Sequence, residues 1–213
     1  MVNRICGGRS SNFILDLTCA TPETSFLEPG VGTGLNVLPL VKRGYSVTGI
    51  DISKEMLNRF REKINLTHYN LKLLCQDASQ LPFPDNSFDV ILTVHMIHTV
   101  SEWKAFLDDI DRVLKPEGFY LNCQWITPPK RKEFECYFRA ILSKFEGDKQ
   151  QSKYVNAASQ EIDVDKYLDS KGYKSSYCIA KQWTVNNTVE ELLSFLKLRA
   201  YDFCGHGVMG IGN

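Results

Sequence analysis

Short apolar runs alternate along this chain with longer stretches in which apolar residues recur every three or four positions. The short runs are typical of buried strands and the longer stretches of amphipathic helices. Their alternation predicts an α/β fold, in which a mostly parallel sheet carries helices on both faces. The run at 88–94 is apolar on both faces, as a central parallel strand should be. Strands are predicted at 25–28, 45–50, 71–75, 88–94, 119–126 and 173–184.

Helix signals lie between and after these runs. Ser53 and Ser101 each precede a stretch with apolar residues on one face, and a serine at that position is expected to cap the helix N-terminus. Pro39 lies within a short predicted helix and is expected to remove one backbone hydrogen bond there. The predicted helices are 35–42, the two that follow Ser53 and Ser101, 130–146, 164–170 and 190–201.

The composition is that of a folded domain with no excess of either charge. The chain has 213 residues, with 25 basic and 25 acidic side chains, and 43% of its residues are hydrophobic. This apolar content is too high for intrinsic disorder. Zero net charge argues against a nucleic-acid partner, because proteins that bind nucleic acid usually concentrate positive charge. We expect one domain over residues 1–213.

The sequence predicts neither a targeting segment nor a membrane partner. The first 20 residues contain only one three-residue apolar stretch, which is too short for a signal peptide. No run approaches the ~18 apolar residues that a membrane span needs. The seven cysteines include no CxxC pair, so we expect no metal site and free thiols in a reducing compartment. A cytoplasmic protein is therefore expected.

Three polar signals follow successive predicted strands, at the edge where ligands bind in open α/β sheets. The first strand runs into Glu28 and a bend with glycines at 30, 32 and 34. Asp51 follows the second strand, where a carboxylate commonly accepts both ribose hydroxyls of an adenosine-containing ligand. Asp77 and Ala78 follow the third strand, within reach of an adenine amino group. Each signal alone is equally explained by a tight turn or a helix cap, but the ordered set favours adenosine binding.

The residues around the glycines limit which adenosine ligand fits. A dinucleotide fingerprint GxGxxG would need a third glycine at position 35, where the chain has Leu35. The phosphate-binding pattern GxxxxGK[ST] is absent. An acidic residue before the glycines would repel a pyrophosphate, whereas it suits a ligand with an ammonium or a sulfonium group. The pattern therefore favours S-adenosyl-L-methionine as the cofactor.

Four segments together carry a resemblance to a known family. They are Phe26-Leu-Glu-Pro-Gly-Val-Gly-Thr-Gly, Val47-Thr-Gly-Ile-Asp-Ile-Ser, Asp77-Ala-Ser-Gln-Leu-Pro-Phe-Pro-Asp-Asn-Ser-Phe-Asp-Val and Leu114-Lys-Pro-Glu-Gly. In this order they resemble the class I S-adenosylmethionine-dependent methyltransferases, in particular the small-molecule branch called type 11. The resemblance covers 22–126 and implies a cofactor-binding core there. It also implies a Rossmann-like sheet of seven strands with an antiparallel last strand, although the chain after position 201 offers no run for a complete last strand.

The resemblance also implies roles for single residues. Glu28 and the backbone of three glycines would cradle the methionine part of the cofactor: Gly30, Gly32 and Gly34. Asp51 would bind the ribose hydroxyls, with Ile52 packing on the adenine. Asp77 would meet the adenine edge through its side chain and Ala78 through its backbone N–H. The residues that leave the fourth strand would line the methyl-donating centre: Thr93, Val94 and His95.

Methyl transfer by direct displacement needs mainly orientation and exclusion of water, and it needs a base only when the acceptor must lose a proton. His98, ahead of His95, is the candidate base, since both follow the fourth strand; a histidine there can equally hydrogen-bond the turn. The segment 130–160 is expected to cover a small-molecule methyl acceptor, although its apolar face can equally pack on the core. The [DN]PPY pattern of methyltransferases that act on DNA amines and protein amides is absent.

Two other functions stay open at this point. A catalytically silent S-adenosylmethionine-binding or scaffold protein, in effect a truncated methyltransferase, would fit the unusual ends of the chain. Only about 20 residues precede the first predicted strand, and a glycine-rich tail follows position 201. An NAD-dependent oxidoreductase is disfavoured by Leu35 in place of the third glycine.

Overall fold

The computed structural model describes most of the chain in two compact units. The first comprises 1–126 and 162–182, and the second comprises 127–161 and 183–213. The prediction of one domain over 1–213 stays a prediction. The described residues are 2–5, 11–64, 68–124, 162–180 and 188–197, with the single positions 133, 134, 136, 137, 140, 184 and 186.

One sheet of seven strands forms the centre of the first unit. Across the sheet the strands lie in the order β4-β3-β2-β5-β6-β1-β7, and every neighbouring pair is parallel. The predicted α/β class with a mostly parallel sheet is therefore confirmed. The strands are β1 Val2–Ile5, β2 Ser25–Pro29, β3 Ser46–Asp51, β4 Leu71–Cys75, β5 Phe88–Val94, β6 Leu114–Cys123 and β7 Ser175–Cys178.

The central strands agree with the sequence pattern, and β6 is the one that differs most. It begins at Leu114, five positions before the predicted start. Leu114 pairs with Phe88 and Phe119 pairs with Val90, so β6 carries extra residues between these two pairs. Glu117 has a φ of 63° within this stretch. Because of this irregularity, apolar and polar residues do not alternate regularly at the start of β6, and the sequence pattern therefore predicts the start too late.

The N-terminal strand β1 is the main departure from the expected topology. The sequence pattern predicts no strand before position 25, and this expectation is wrong. The family resemblance implies an antiparallel last strand after the last helix; the described strands include none, and 198–213 lie outside the described residues. Val2–Ile5 lie between β6 and β7 and pair in parallel with both. This four-residue segment has little pattern of its own. It is a strand because its backbone N–H and C=O groups pair on both sides.

The helices confirm some of the predicted caps and correct others. Ser53 Oγ accepts a hydrogen bond from Met56 N at 3.3 Å, as predicted, but Glu102 takes the capping position of α4 without a side-chain cap, so the prediction for Ser101 is wrong. Pro39 lies in the first turn of α2, where the missing N–H removes no helical bond. The helices are α1 Ser11–Leu17, α2 Leu38–Lys42, α3 Lys54–Glu62, α4 Trp103–Val113, α5 Val164–Ser170 and α6 Val189–Lys197.

Two apolar clusters pack against opposite faces of the sheet. One face contacts α4 and α5, and the other contacts α2 and α3. The first cluster contains Leu27, Ile50, Ile91 and Tyr120 of the sheet with Phe106, Leu107, Ile110, Val164 and Leu168 of the helices. The second contains Phe26, Val47, Val90, Leu92 and Leu121 with Val37, Leu40, Val41, Leu57 and Phe60. Burial of these side chains stabilises the layers by about 25 cal/mol for each Å² of apolar surface removed from water.

Helix α6 belongs to the second unit and begins with a capping box. The N–H of Glu191 donates to Thr188 Oγ1 at 3.1 Å, and the N–H of Thr188 donates to Glu191 Oε2 at 2.8 Å.

The segments predicted as the helix 130–146 and as the substrate cover 130–160 lie largely outside the described residues. Within the described part of the chain, no helix has the length and apolar character needed to cross a bilayer.

A buried polar pair joins β5 to β6 on the face covered by α4. Thr93 Oγ1 and the Tyr120 hydroxyl lie 2.9 Å apart, and neither residue is more than 1% exposed. Burial holds the pKa of Tyr120 far above its ordinary value, with the hydrogen bond from Thr93 opposing the shift. The hydroxyl is therefore neutral, and each partner depends on the other for its hydrogen bond.

Removing one hydroxyl should leave the other buried and unpaired. We expect Tyr120→Phe to lower the free energy of unfolding by about 1–3 kcal/mol, and Thr93→Val to do likewise. Combined, the two substitutions should destabilise by clearly less than the sum of the single effects. Urea unfolding of the four proteins tests this, with Tyr45→Phe at a half-buried residue on the opposite face as the control. Additive single effects would contradict it.

Candidate functional site

The carboxyl ends of β2, β3 and β4 bring the predicted polar residues to one edge of the sheet. Glu28 pairs in register with Gly49, and Pro29 with Ile50, so the glycine bend after β2 leaves the sheet beside Asp51. Asp51 in turn pairs with Cys75 at the end of β4. Because the three strands are parallel neighbours, their C-terminal loops converge at this edge.

Asp51 connects the glycine bend to the start of α3. Its Oδ2 accepts a hydrogen bond from the N–H of Gly32 at 2.7 Å, and its Oδ1 accepts one from the N–H of Ser53 at 2.8 Å. The N–H of Val31 donates to the carbonyl of Ile50 at 2.9 Å. These bonds fix the bend against the end of β3, so the carboxylate lies directly beside the bend, as the sequence pattern predicts.

The glycines of the bend serve different purposes. A Cβ on Gly34 would overlap the ring of Phe60, whereas a Cβ on Gly32 would meet no atom within 4 Å. Gly34 thus permits α3 to pack closely against the bend, while Gly32 faces open space. Lys63, just after α3, also donates from Nζ to the carbonyl of Thr33 at 2.8 Å. Helix α3 therefore packs against the bend at Gly34, whereas the space next to Gly32 is open.

Glu28 is a buried acid with one unsatisfied oxygen. Glu28 is only 1% exposed. Its Oε1 accepts a hydrogen bond from Asn36 Nδ2 at 2.8 Å, and its Oε2 has no hydrogen-bond partner. Burial raises the pKa of Glu28 to about 8, the negative charge of Asp51 acts in the same direction, and the Asn36 hydrogen bond opposes both. A buried acceptor without a partner is costly and points to a missing cation or donor at this position.

An open cleft of about 1540 Å³ lies along this edge and contains several of the predicted residues. Asp51 and Ile52 line it from β3, and Asp77 and Ala78 line it from the loop after β4. Ile52 is 73% exposed, which is unusual for a large apolar residue. Asp77 Oδ1 accepts a hydrogen bond from the N–H of Ser79 at 2.8 Å, leaving its other oxygen for a further donor.

The residues at the end of β5 are not brought to this cleft. Thr93 is buried against Tyr120, and neither Val94 nor His95 is among the residues that line the cleft. His95 has a φ of 51°, and its N–H donates to the carbonyl of Cys123 at 3.1 Å. His98 lies in the short 3₁₀ turn Ile97–Thr99, with its ring centroid 6.4 Å from that of His95. The side chain of Thr93 thus has a structural partner in Tyr120, and its role beside the methyl-donating centre stays a prediction.

Two residues of the site were not predicted from the sequence. Asn36 binds the buried carboxyl of Glu28, and Met96 lines the cleft beside the bend, where a Cβ on Gly30 would lie 3.1 Å from Met96 Sδ. An amide side chain a few positions after an acid and a glycine bend is the only hint for the first. Among the described residues, no group of three or more His, Cys, Asp or Glu side chains is arranged to hold a metal ion.

A parallel sheet with a ligand-sized cleft at its carboxyl edge defines a Rossmann-like α/β domain. Residues 27–122 match the family described as the methyltransferase domain. This match confirms the resemblance found in the sequence: residues 27–122 are similar to the methyltransferase domain, and the fold is that of the class I methyltransferases. The similarity to this family implies S-adenosylmethionine as the cofactor.

Two relatives illustrate the extent of the similarity. A demethylmenaquinone methyltransferase of Tropheryma whipplei is 39% identical over 128 residues, which are 57% of this chain and 51% of that protein. A phosphatidylethanolamine N-methyltransferase of Cereibacter sphaeroides is 43% identical over 94 residues, which are 43% of this chain and 46% of that protein. The chain spans about half the length of the curated relatives it matches.

A solved structure supports the fold alone. A candidate S-adenosyl-L-methionine-dependent methyltransferase of Methanococcus maripaludis superimposes with a TM-score of 0.52 at 20% sequence identity, over 76% of this chain and 74% of that chain. The similarity extends beyond the family match at 27–122, so the class I fold includes elements outside that core.

The different roles of the glycines can be tested by stability. Gly34→Ala should lower the free energy of unfolding by about 2–5 kcal/mol, because it combines a positive φ with overlap against Phe60. Gly44→Ala is the matched control, since Gly44 has a φ of +88° and open space around it; it should cost about 1–2 kcal/mol. Urea unfolding of both variants measures the difference, and equal losses would show that close packing of α3 is not what requires Gly34.

Proposed function

We propose that this protein is an S-adenosyl-L-methionine-dependent methyltransferase that transfers a methyl group to a small-molecule acceptor. One observation carries the proposal: the buried, half-satisfied carboxyl of Glu28 and the carboxylate of Asp51 flank an open glycine bend at the mouth of the cleft. Two acids at one ligand-binding edge favour a ligand that brings positive charge and hydroxyl donors. Nucleotides with a pyrophosphate group bring negative charge instead, which the two acids would repel.

The nucleoside part of the cofactor fits the outer portion of this site. Each oxygen of Asp51 accepts one backbone N–H and keeps capacity for a further donor, so the carboxylate could accept the two ribose hydroxyls. The exposed Ile52 offers an apolar surface to an adenine ring. Asp77, with one oxygen not bound by Ser79, could accept the adenine amino group, with the N–H of Ala78 beside it.

The methionine part fits the inner portion. An ammonium group would supply both the hydrogen-bond donor that Glu28 Oε2 lacks and the positive charge that a buried carboxylate needs. Gly30 and Gly32 would present backbone rather than side chains to it, and Gly34 contributes through its packing on Phe60. Bound there, the cofactor supplies an electrophilic methyl group on its sulfonium.

The protein's own contribution to the reaction is positioning. The bend, Asp51 and Glu28 would hold the donor in one orientation, and the surrounding residues would exclude water from the site. Val94 ends β5 and His95 follows it, directly before Met96, whose side chain lies beside Gly30 of the bend. We assign Val94 and His95 to the donor side on this ground, although neither lines the cleft itself. We assign His98 as the group that takes a proton when the acceptor carries a protonated hydroxyl, thiol or amine.

The acceptor is assigned to the small-molecule and lipid classes. The two relatives are named for demethylmenaquinone and for phosphatidylethanolamine, so a quinol and an amine-bearing lipid are the first acceptors to test. The segment 130–160 is proposed to cover the acceptor. The neutral chain has no charge excess with which to attract nucleic acid.

Binding and turnover test the proposal together. We expect calorimetry to detect S-adenosylhomocysteine binding and radiolabelled S-adenosylmethionine to methylate one member of a panel of quinols, amine lipids and small metabolites. Asp51→Ala should weaken S-adenosylhomocysteine binding at least tenfold because the ribose hydroxyls lose a charged acceptor. Asp16→Ala, at an exposed residue of α1, is the control and should leave the affinity unchanged.

The outcomes separate the candidate functions. Tight S-adenosylhomocysteine binding without methylation of any acceptor would favour a silent binding protein. Binding of NADH without binding of S-adenosylhomocysteine would contradict the cofactor assignment itself.

The acid under the bend predicts a pH-dependent affinity. In the free protein the pKa of Glu28 is raised to about 8, so the group is protonated at pH 6. A bound ammonium favours the carboxylate, so binding releases the proton, and the affinity for S-adenosylhomocysteine should rise with pH from 6 and level off above about 8. The largest possible slope is about tenfold per pH unit.

Calorimetry in buffers of different ionisation enthalpy measures the released proton directly at pH 7. Glu28→Gln removes the titrating group, so its weaker binding should be flat with pH over the same range. An affinity of the unchanged protein that is flat between pH 6 and 8 would contradict the assignment of Glu28 to the methionine ammonium.

A further inference from the structure

The loop between β4 and β5 forms one wall of the cleft but has little structure of its own. Residues 76–87 carry Asp77 and Ala78 at one end and reach α4 at the other. Pro82 and Pro84 have no N–H and cannot contribute donors to a regular turn. The position of this wall must therefore be determined by contacts outside the loop.

The side chain of Arg112 in α4 supplies three of these contacts. Its Nη2 donates to the carbonyl of Leu81 at 2.9 Å, and its Nη1 donates to the carbonyl of Phe83 at 2.7 Å and to Asp85 Oδ1 at 3.0 Å. Its Nε donates to Asp109 Oδ1 at 2.8 Å. One guanidinium thus holds two backbone carbonyls and two carboxylates in the fixed plane of its donors.

Asp109 completes the arrangement from the preceding turn of the same helix. Its Oδ2 accepts a hydrogen bond from the N–H of Leu81, while its Oδ1 binds Arg112. Both backbone groups of Leu81 are therefore bound to this pair. The N–H groups of Asn86 and Ser87 donate to the carbonyls of Arg112 and Val113, which ties the far end of the loop to α4 as well.

The pair belongs to the same cleft as the predicted nucleoside residues. Asp109 and Arg112 line it together with Asp77 and Ala78. Leu81 and Ala78 are 4% and 6% exposed and lie in the same apolar cluster as α4. A shift of Leu81 would therefore be transmitted over three residues to the backbone of Ala78.

We propose that Arg112 and Asp109 are positioning residues that set the adenine end of the cofactor site by fixing the backbone of the 76–87 loop. The inference rests on the proposed cofactor. An exposed ion pair by itself contributes little to stability. The capture of the Leu81 and Phe83 backbone gives this pair a role in the shape of the cleft.

Arg112→Lys tests this role, because an ammonium cannot reach two carbonyls and two carboxylates from one fixed plane. The probes are S-adenosylhomocysteine and its analogue in which hydrogen replaces the adenine 6-amino group. The unchanged protein should prefer the amino form by about tenfold, since the analogue leaves a charged acceptor unpaired. In Arg112→Lys this preference should fall below about threefold, and the affinity for S-adenosylhomocysteine should fall by about tenfold.

Two variants serve as comparisons. Arg59→Lys changes an arginine that pairs with Glu55 on the surface of α3, away from the cleft, and should keep both the affinity and the preference. Asp109→Asn keeps an oxygen that can accept from the N–H of Leu81 but loses the charge facing Arg112. It should lie between the unchanged protein and Arg112→Lys, and it provides a folded variant if the lysine variant does not fold.

The results separate positioning from stability. If both ligands lose affinity by the same factor in Arg112→Lys and Asp109→Asn, or if only the unfolding midpoint falls, the positioning role is overturned. If the unchanged protein binds neither ligand, the proposed cofactor fails first and the inference falls with it. If the unchanged protein binds S-adenosylhomocysteine tightly and the folded variants keep its preference for the 6-amino group, only the positioning role is overturned.

Discussion

The hydrogen bond from the Gly32 N–H to the Asp51 carboxylate holds the candidate site together. It exists because β2 and β3 are parallel neighbours in a register that pairs Pro29 with Ile50, so the bend after one strand meets the first polar residue after the other. A Cβ on Gly49 would lie 2.8 Å from Val31 Cγ1. The chain can therefore fold back over β3 only because that strand has a glycine there.

The electrostatics of the site follow from this geometry. Glu28 ends up buried next to Asp51, and its second oxygen has no partner. Removing a carboxyl group from water without a counter-charge favours the protonated form, which is why its pKa is raised to about 8. The ammonium group of the proposed cofactor would supply both a hydrogen-bond donor to Glu28 Oε2 and a positive charge beside the buried carboxylate.

The opposite side of the cleft is organised by a different principle. Here the wall is an irregular, proline-containing loop, and its shape comes from α4 rather than from the sheet. Arg112 and Asp109 bind backbone groups of Leu81 and Phe83, so a regular helix determines the position of a segment that has no repeating hydrogen bonds. The cleft is thus formed by two kinds of support, strand register at the bend and helix side chains at the loop.

The sequence by itself determined the central strands, the helix after Ser53 and the order of polar residues at the strand ends. These features are local: a buried strand needs a continuous apolar run, and Glu28, Asp51 and Asp77 each follow such a run directly. For the same reason the class of fold and the similarity to the methyltransferase domain could be predicted from four short segments.

Only the tertiary structure decided which of these residues meet. Thr93 and Asp51 both lie at strand ends, yet one is buried against Tyr120 and the other faces the cleft, because the sheet has two differently covered faces. The strand Val2–Ile5 has no strong pattern and forms through partners more than 100 positions away in sequence. Contacts between distant segments produce no repeating pattern of apolar residues in the sequence. For this reason neither the strand Val2–Ile5 nor the contacts of Arg112 could be predicted from the sequence.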